Sequence, residues 1–369
     1  MAEINALFEK EHPEIKLEFE VVPPNDAYVQ ALSPQFLAGD APDVVMTDAP
    51  KMTAWAESGY LEPLADSTWA DDVDPNLKPF TTVDGELYGF PMEQIGIGIF
   101  ANMDMLAAAA VDAVPTNWSD FTASLEALQA AGQPGLNLPN KAGWTGRMLL
   151  TASAASLVYP GTSDLDEKIL LGEETLDPTW VGALDQVMEL QDLGFVDWPT
   201  QLGVDEFTQG KSDFIAGNSA YWFQGAWNLQ SMIDEGVNVA FAPWPGADSG
   251  TSHGLLFPGT MWSVNASSDV KDAAAAYLEF WNDPEVLGLY LDAENAFTTF
   301  TGGTSPDKEQ LSVFSDAFDA GDVAYTPVST WMVGDALTAV NSNVQSRMLG
   351  DVESAAALEA IDDAVSRLR

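Results

Sequence analysis

Residues 36–64 read FLAGDAPDVVMTDAPKMTAWAESGYLEPL, an order that constrains the chain to a strand-to-helix corner of an α/β sheet. Gly39 lacks a Cβ and can take the left-handed conformation that caps a helix. Pro42 then forbids helix, and Val44, Val45 and Met46 form the short apolar run of a buried strand. Thr47 and Asp48 follow at the carboxyl end, where open α/β sheets present groups to ligands. A second helix is stopped by Gly59, and Leu61 and Leu64 return to the core.

The rest of the chain alternates in the same way. Ile4, Leu7 and Phe8 share one helical face, His12-Pro13 breaks that helix, and Ile15, Leu17, Phe19 and Val21 alternate as a strand. Asp84-Gly85 makes a tight turn between short strands; Ile95, Ile97 and Ile99 alternate with glycines, which suits an extended segment approached closely by other backbone. Asn117 caps a helix that ends at Gly132, and another helix stops at Gly194. Strands are expected at 221–225, 237–243 and 261–264, and helices at 270–281, 285–292 and from Trp331 onward. Strands alternating with helices make α/β lobes, and 369 residues exceed what one core usually holds, so two lobes are expected.

Composition removes several function classes. The formal net charge is −44, from 57 acidic and 13 basic residues, which leaves no basic patch for a phosphate backbone and excludes nucleic acid as a partner. There is no GxxxxGK[ST] loop, and Gly96-Ile97-Gly98 lacks the rest of a dinucleotide fingerprint. Such acidity marks a solvated surface and suits a high-salt habitat. Cysteine is absent, and His12 and His253 stand alone without a GxSxG elbow, so no thiolate, Cys-based zinc site or Ser-His-Asp triad is expected. The run starting at Asp71 imitates a calcium loop, but Leu77 stands where the turn glycine belongs. The longest apolar runs, such as 106–111, fall far short of the ~20 residues of a membrane span.

Taken in order, a series of segments resembles the extracellular solute-binding protein family 1, the carbohydrate-type receptors of ABC importers. They are FEKEHPEIKLEFE, the AGDAPDVV and AESGYLEPL pair, DGELYGFP with FANMDML, and PTNWSDFTASLEAL. The series continues through GNSAYWFQGAW, VNVAFAPWPG, AAAAYLEFWNDPEV and TPVSTW. The resemblance implies a two-lobe, type II periplasmic-binding-protein-like α/β fold whose lobes, joined by crossing segments, hold ligand in a cleft. The first lobe would comprise 1–102 and 260–300, the second 103–259 and 301–369. It further implies a monomer without catalytic residues, metal or cofactor, which captures a mono- or oligosaccharide and delivers it to permease subunits. Family members carry a strand before the first helix, a secretion signal and often a lipid-anchored cysteine. None precedes Met1, so a truncated form or misplaced start is expected, with an extracytoplasmic, periplasmic or cell-surface lipoprotein as the full-length protein.

A sugar offers paired hydroxyls and flat C–H faces, so its receptor needs carboxylates or amides and aromatic walls. By resemblance, Trp227 occupies the family's Gly-x-Trp position after Gly225, where the indole lies under a sugar ring, and Trp331 another cleft position. Trp144 lies in a glycine-flanked segment that suits a cleft loop or the core equally. Asp48, with Thr47 beside it, is the leading carboxylate, though Asp there serves equally as a helix N-cap. Glu93 and Gln94 follow Pro91 at the family's cleft-facing turn, where surface exposure competes. Arg147, one of four arginines, could fork onto hydroxyls or pair with the acidic surface. Trp262 and Thr298 are placed near the crossings by analogy. Carboxylates beside aromatics also describe a glycoside hydrolase, and the same groups could cage a polyamine.

Overall fold

The computed structural model describes residues 1–22, 26–162, 164–248, 250–303 and 306–369. Its strands, among the described residues, are β1 (Val44–Thr47), β2 (Thr82–Val83), β3 (Glu86–Leu87), β4 (Phe90–Pro91), β5 (Gln94–Asn102), β6 (Leu136–Asn137), β7 (Tyr221–Gly225), β8 (Val239–Pro243), β9 (Gly254–Pro258), β10 (Met261–Val264) and β11 (Val323–Tyr325). The chain divides into two compact units, Met1–Gln94 with Pro258–Ser305, and Ile95–Phe257 with Pro306–Arg369. The first boundary lies eight residues before the one expected at 102/103. The reason is that β5 pairs antiparallel with β7 at Ile97–Ala101 and with β8 at Gly98–Asn102, so its ladder belongs to the second unit. The other boundaries fall at 257/258 and 305/306, against the expected 259/260 and 300/301.

In the first unit an antiparallel sheet of order β1-β10-β4 carries the corner expected from sequence. Helix Asp26–Ala38 ends at Gly39 with φ +77°, β1 follows, and helix Ala49–Glu57 leads to Gly59 at φ +72°. Leu61 and Leu64 are buried beyond it. The strand expected over 15–21 is absent: Phe19 and Val21 are 49% and 81% exposed. Alternation alone does not make a strand, because the ladder needs a neighbour; here Leu17 N–H instead donates to Glu9 Oε1 at 3.1 Å.

The second unit is built on a sheet of order β11-β9-β5-β7-β6, with β8 also pairing β5. Its glycines explain the Ile-Gly alternation of β5. A Cβ on Gly98 would overlap the carbonyl oxygen of Ala242 on β8, and one on Gly96 would sit 2.9 Å from the Phe314 ring. Helix Trp118–Ala130 starts as expected, with Asn117 accepting from Asp120 N–H at 3.0 Å, and Ser124 bonds the buried Tyr221 hydroxyl on β7 at 2.9 Å. Helix Trp144–Leu157 is buried at every position from Thr145 to Ala155. It packs against helices Val181–Asp192 and Gly334–Met348, the latter paired with helix Ser354–Ser366. No helix among the described residues is long and apolar enough to cross a membrane.

Candidate functional site

In the second unit three aromatic side chains meet at the surface. Strand β7 ends at Gly225, and the following turn Ala226–Asn228 folds the half-buried Trp227 back over it. A Cβ on Gly225 would overlap the Trp227 ring, so the glycine of the Gly-x-Trp pattern is a steric requirement of the indole's position. The Trp144 ring lies 5.9 Å from that of Trp227 at 56°, and Phe207 lies 5.9 Å from Trp144 at 45°. Phe207 is 51% exposed, an unusual position for a large apolar ring.

Helix structure places polar groups beside this cluster. The segment around Trp144 is the first turn of a helix, not the loop that flanking glycines suggested. Gly143 takes φ +82° as its N-cap residue, and Asn140 Oδ1 accepts from Gly146 N–H at 2.8 Å, which holds the turn. Arg147 follows Trp144 by three residues and so shares its helix face. It does not pair with the acidic surface: the side chain is buried, no described carboxylate lies within ion-pair distance, and burial alone lowers its pKa to about 10. Its Nε has no partner among the described residues, and Nη1 lies 3.8 Å from the Met332 thioether sulfur. Glu206, next to Phe207, is buried and accepts from Ala142 N–H at 2.7 Å; burial pushes its carboxyl up. The buried Nδ2 of Asn228 is also unpaired. Sequence reasoning missed Phe207 and Glu206, whose only signal was an acid beside an aromatic in a short polar segment.

Trp331, one residue before the Met332 that Arg147 approaches, is core. It is fully buried, its Nε1–H donates to Asp166 Oδ1 at 2.8 Å, and it meets Trp180 edge-on at 5.5 Å. No face is open for stacking.

The first unit holds the remaining candidates separately. Asp48 is a helix N-cap, accepting from Lys51 N–H at 3.0 Å and ion-paired with the Lys51 ammonium. Thr47 is buried against Ser263, Oγ1 to Oγ 2.9 Å. Trp262 packs between Tyr277 and Trp281 at 5% exposure. Glu93 and Gln94 are buried, so surface exposure does not describe them. Glu93 Oε1 accepts from Thr260 N–H at 2.8 Å, under Gly259, where any Cβ would overlap the carboxylate. Burial pushes the Glu93 carboxyl up to about 7, opposed by the Thr260 hydrogen bonds and aided by Glu294. Gln94 Nε2 donates to the backbone oxygen of Thr298 at 2.6 Å, while Gln94 Oε1 is buried without a partner among the described residues. The Thr298 side chain is also buried and accepts from Phe300 N–H at 3.3 Å.

Two α/β units, one of which carries a partly exposed aromatic cluster, are the architecture of a binding protein of the solute-receptor class. The model of the bacterial extracellular solute-binding proteins matches residues 1–287, and the chain belongs to that family. A mannitol-binding protein of Pseudomonas aeruginosa is 25% identical over 333 residues, covering 86% of this chain and 72% of that protein. A maltodextrin-binding protein of Bacillus subtilis is 24% identical over 288 residues, covering 75% of this chain and 66% of its own length. Among solved structures, a chitin oligosaccharide binding protein shares the fold with TM-score 0.78 at 21% identity, over 99% of this chain and 93% of that one.

Proposed function

We propose that this chain is an extracytoplasmic receptor that captures a mono- or oligosaccharide and delivers it to the permease of an ABC importer. The observation that carries this reading is the Trp227–Trp144–Phe207 surface beside Arg147, Glu206 and Asn228. Aromatic faces pack against the C–H faces of a sugar ring, and the polar groups meet its hydroxyls. Family membership and the sugar ligands named for the relatives support it. In the first unit, the unpaired Oε1 of Gln94 suits a hydroxyl donor, and Glu93 stands beside it in sequence. The two units are assigned as the family's lobes, and the full-length protein as a monomeric periplasmic or lipid-anchored receptor.

Binding without turnover is the corollary, and chromogenic glycosides should release no product. A polyamine ligand is disfavoured because the buried cation Arg147 stands one helical turn from Trp144 and would repel it.

A thermal-shift screen over neutral and acidic saccharides tests the reading, since a ligand at 100 times its Kd stabilises the folded state by about 2.7 kcal/mol. A panel with no shift would overturn it. Trp227→Ala is expected to weaken binding of the ligand found by about 1–3 kcal/mol, through lost stacking and apolar burial. Calorimetry measures this, and unchanged affinity in a folded variant would remove Trp227 from the site.

A further inference from the structure

Resting on the carbohydrate reading, we infer that the captured sugar carries a carboxylate, as a uronic acid does, and that Arg147 is its counter-ion. Arg147 is 7% exposed, its Nε is unpaired, and the Nη1 contact at 3.8 Å is to a thioether, a weak acceptor. In a chain with 57 acidic residues a structural partner would be easy to supply, yet no described carboxylate stands within ion-pair distance of this guanidinium.

A buried charge without a partner is destabilising, and an apolar side chain of similar volume would serve the core better. Hydroxyls of a neutral sugar would satisfy the N–H donors but leave the charge uncompensated. A carboxylate does both, through two parallel hydrogen bonds to the planar fork. Arg147 is the fourth residue of the 14-residue helix Trp144–Leu157, whose dipole adds positive potential at this end; Asn140 Oδ1 takes one of its N–H groups, that of Gly146, and the Glu206 carboxyl is engaged by Ala142 N–H just before the helix. Trp144, three residues earlier on the same helix face, offers a partly exposed ring for stacking.

The test uses the full chain and matched probes: galacturonate and glucuronate, as monosaccharides and short oligomers, against galactose and glucose equivalents. Isothermal calorimetry should show at least one acidic sugar binding about thirtyfold or more tightly than its neutral counterpart. Arg147→Met should abolish that preference by weakening the acidic sugar far more than its neutral counterpart, and Arg147→Lys should retain part of it. Equal affinity for acidic and neutral sugars in the unaltered protein overturns the inference and leaves the carbohydrate reading standing; this arm needs no variant to fold. Equal losses for both sugar classes in Arg147→Met make Arg147 a hydroxyl ligand and overturn it too. Failure of every saccharide to bind overturns the carbohydrate reading itself.

Discussion

Replacing Trp331 by alanine should destabilise the protein by about 3–5 kcal/mol, the range for emptying a large aromatic site in a core. The indole is fully buried, meets Trp180 at 88°, and its N–H is one of two donors to Asp166 Oδ1, the other being the Tyr159 hydroxyl at 2.8 Å. Burial raises the Asp166 carboxyl and these two bonds oppose it, so losing one leaves the carboxylate poorly compensated. Trp331→Phe keeps most of the packing and removes only the donor, and should cost about 1–2 kcal/mol. Urea unfolding followed by circular dichroism measures both. An alanine variant of unchanged stability but weakened sugar affinity would return Trp331 to the ligand-contact role that family resemblance implies.

Glu93 should make stability fall with rising pH, by roughly 3 kcal/mol in all. Its carboxyl is pushed from 4.5 up to about 7, chiefly by burial, so the folded protein holds this proton more tightly than the unfolded chain does. The contribution is therefore fully present below about pH 4.5, declines as pH rises, and is lost once pH passes about 7. Glu93→Gln keeps an oxygen to accept from Thr260 N–H and has no proton to lose, so its stability should not fall over this interval for that reason. Burial also raises the carboxyls of Asp166, Glu206 and Asp362, and the difference between the two proteins in urea unfolding at pH 5 and pH 8 isolates Glu93. Parallel pH dependence in both would show that the carboxylate is solvated.

Local chemistry was legible in the sequence because its causes lie within a few residues. Gly39 and Gly59 end helices since only a residue without Cβ takes positive φ at no cost, and Asp48 and Asn117 cap helices through bonds spanning three positions. The β1 corner and the Gly-x-Trp turn follow from the same short-range sterics, whereas the glycines of β5 answer to Ala242 and Phe314, far along the chain. Phe19 and Val21 show the limit: their alternation fits a strand, but a strand also needs a neighbour that no local pattern supplies.

The sequence by itself determined the α/β class, the ends of several helices such as those at Gly39, Gly59, Asn117 and Gly132 and, through the order of its motifs, the family. Tertiary structure alone decided which of 12 tryptophans became surface and which became core, since an indole fits either until its neighbours are known. Thus Trp331 lies sealed on Trp180, while Trp227 and Trp144 keep partly open faces beside the exposed Phe207. It also decided that Arg147, in so acidic a chain, has no described carboxylate within ion-pair distance. Charge balance is a property of distances across the fold, and those are set only when helix Trp144–Leu157 packs into its unit.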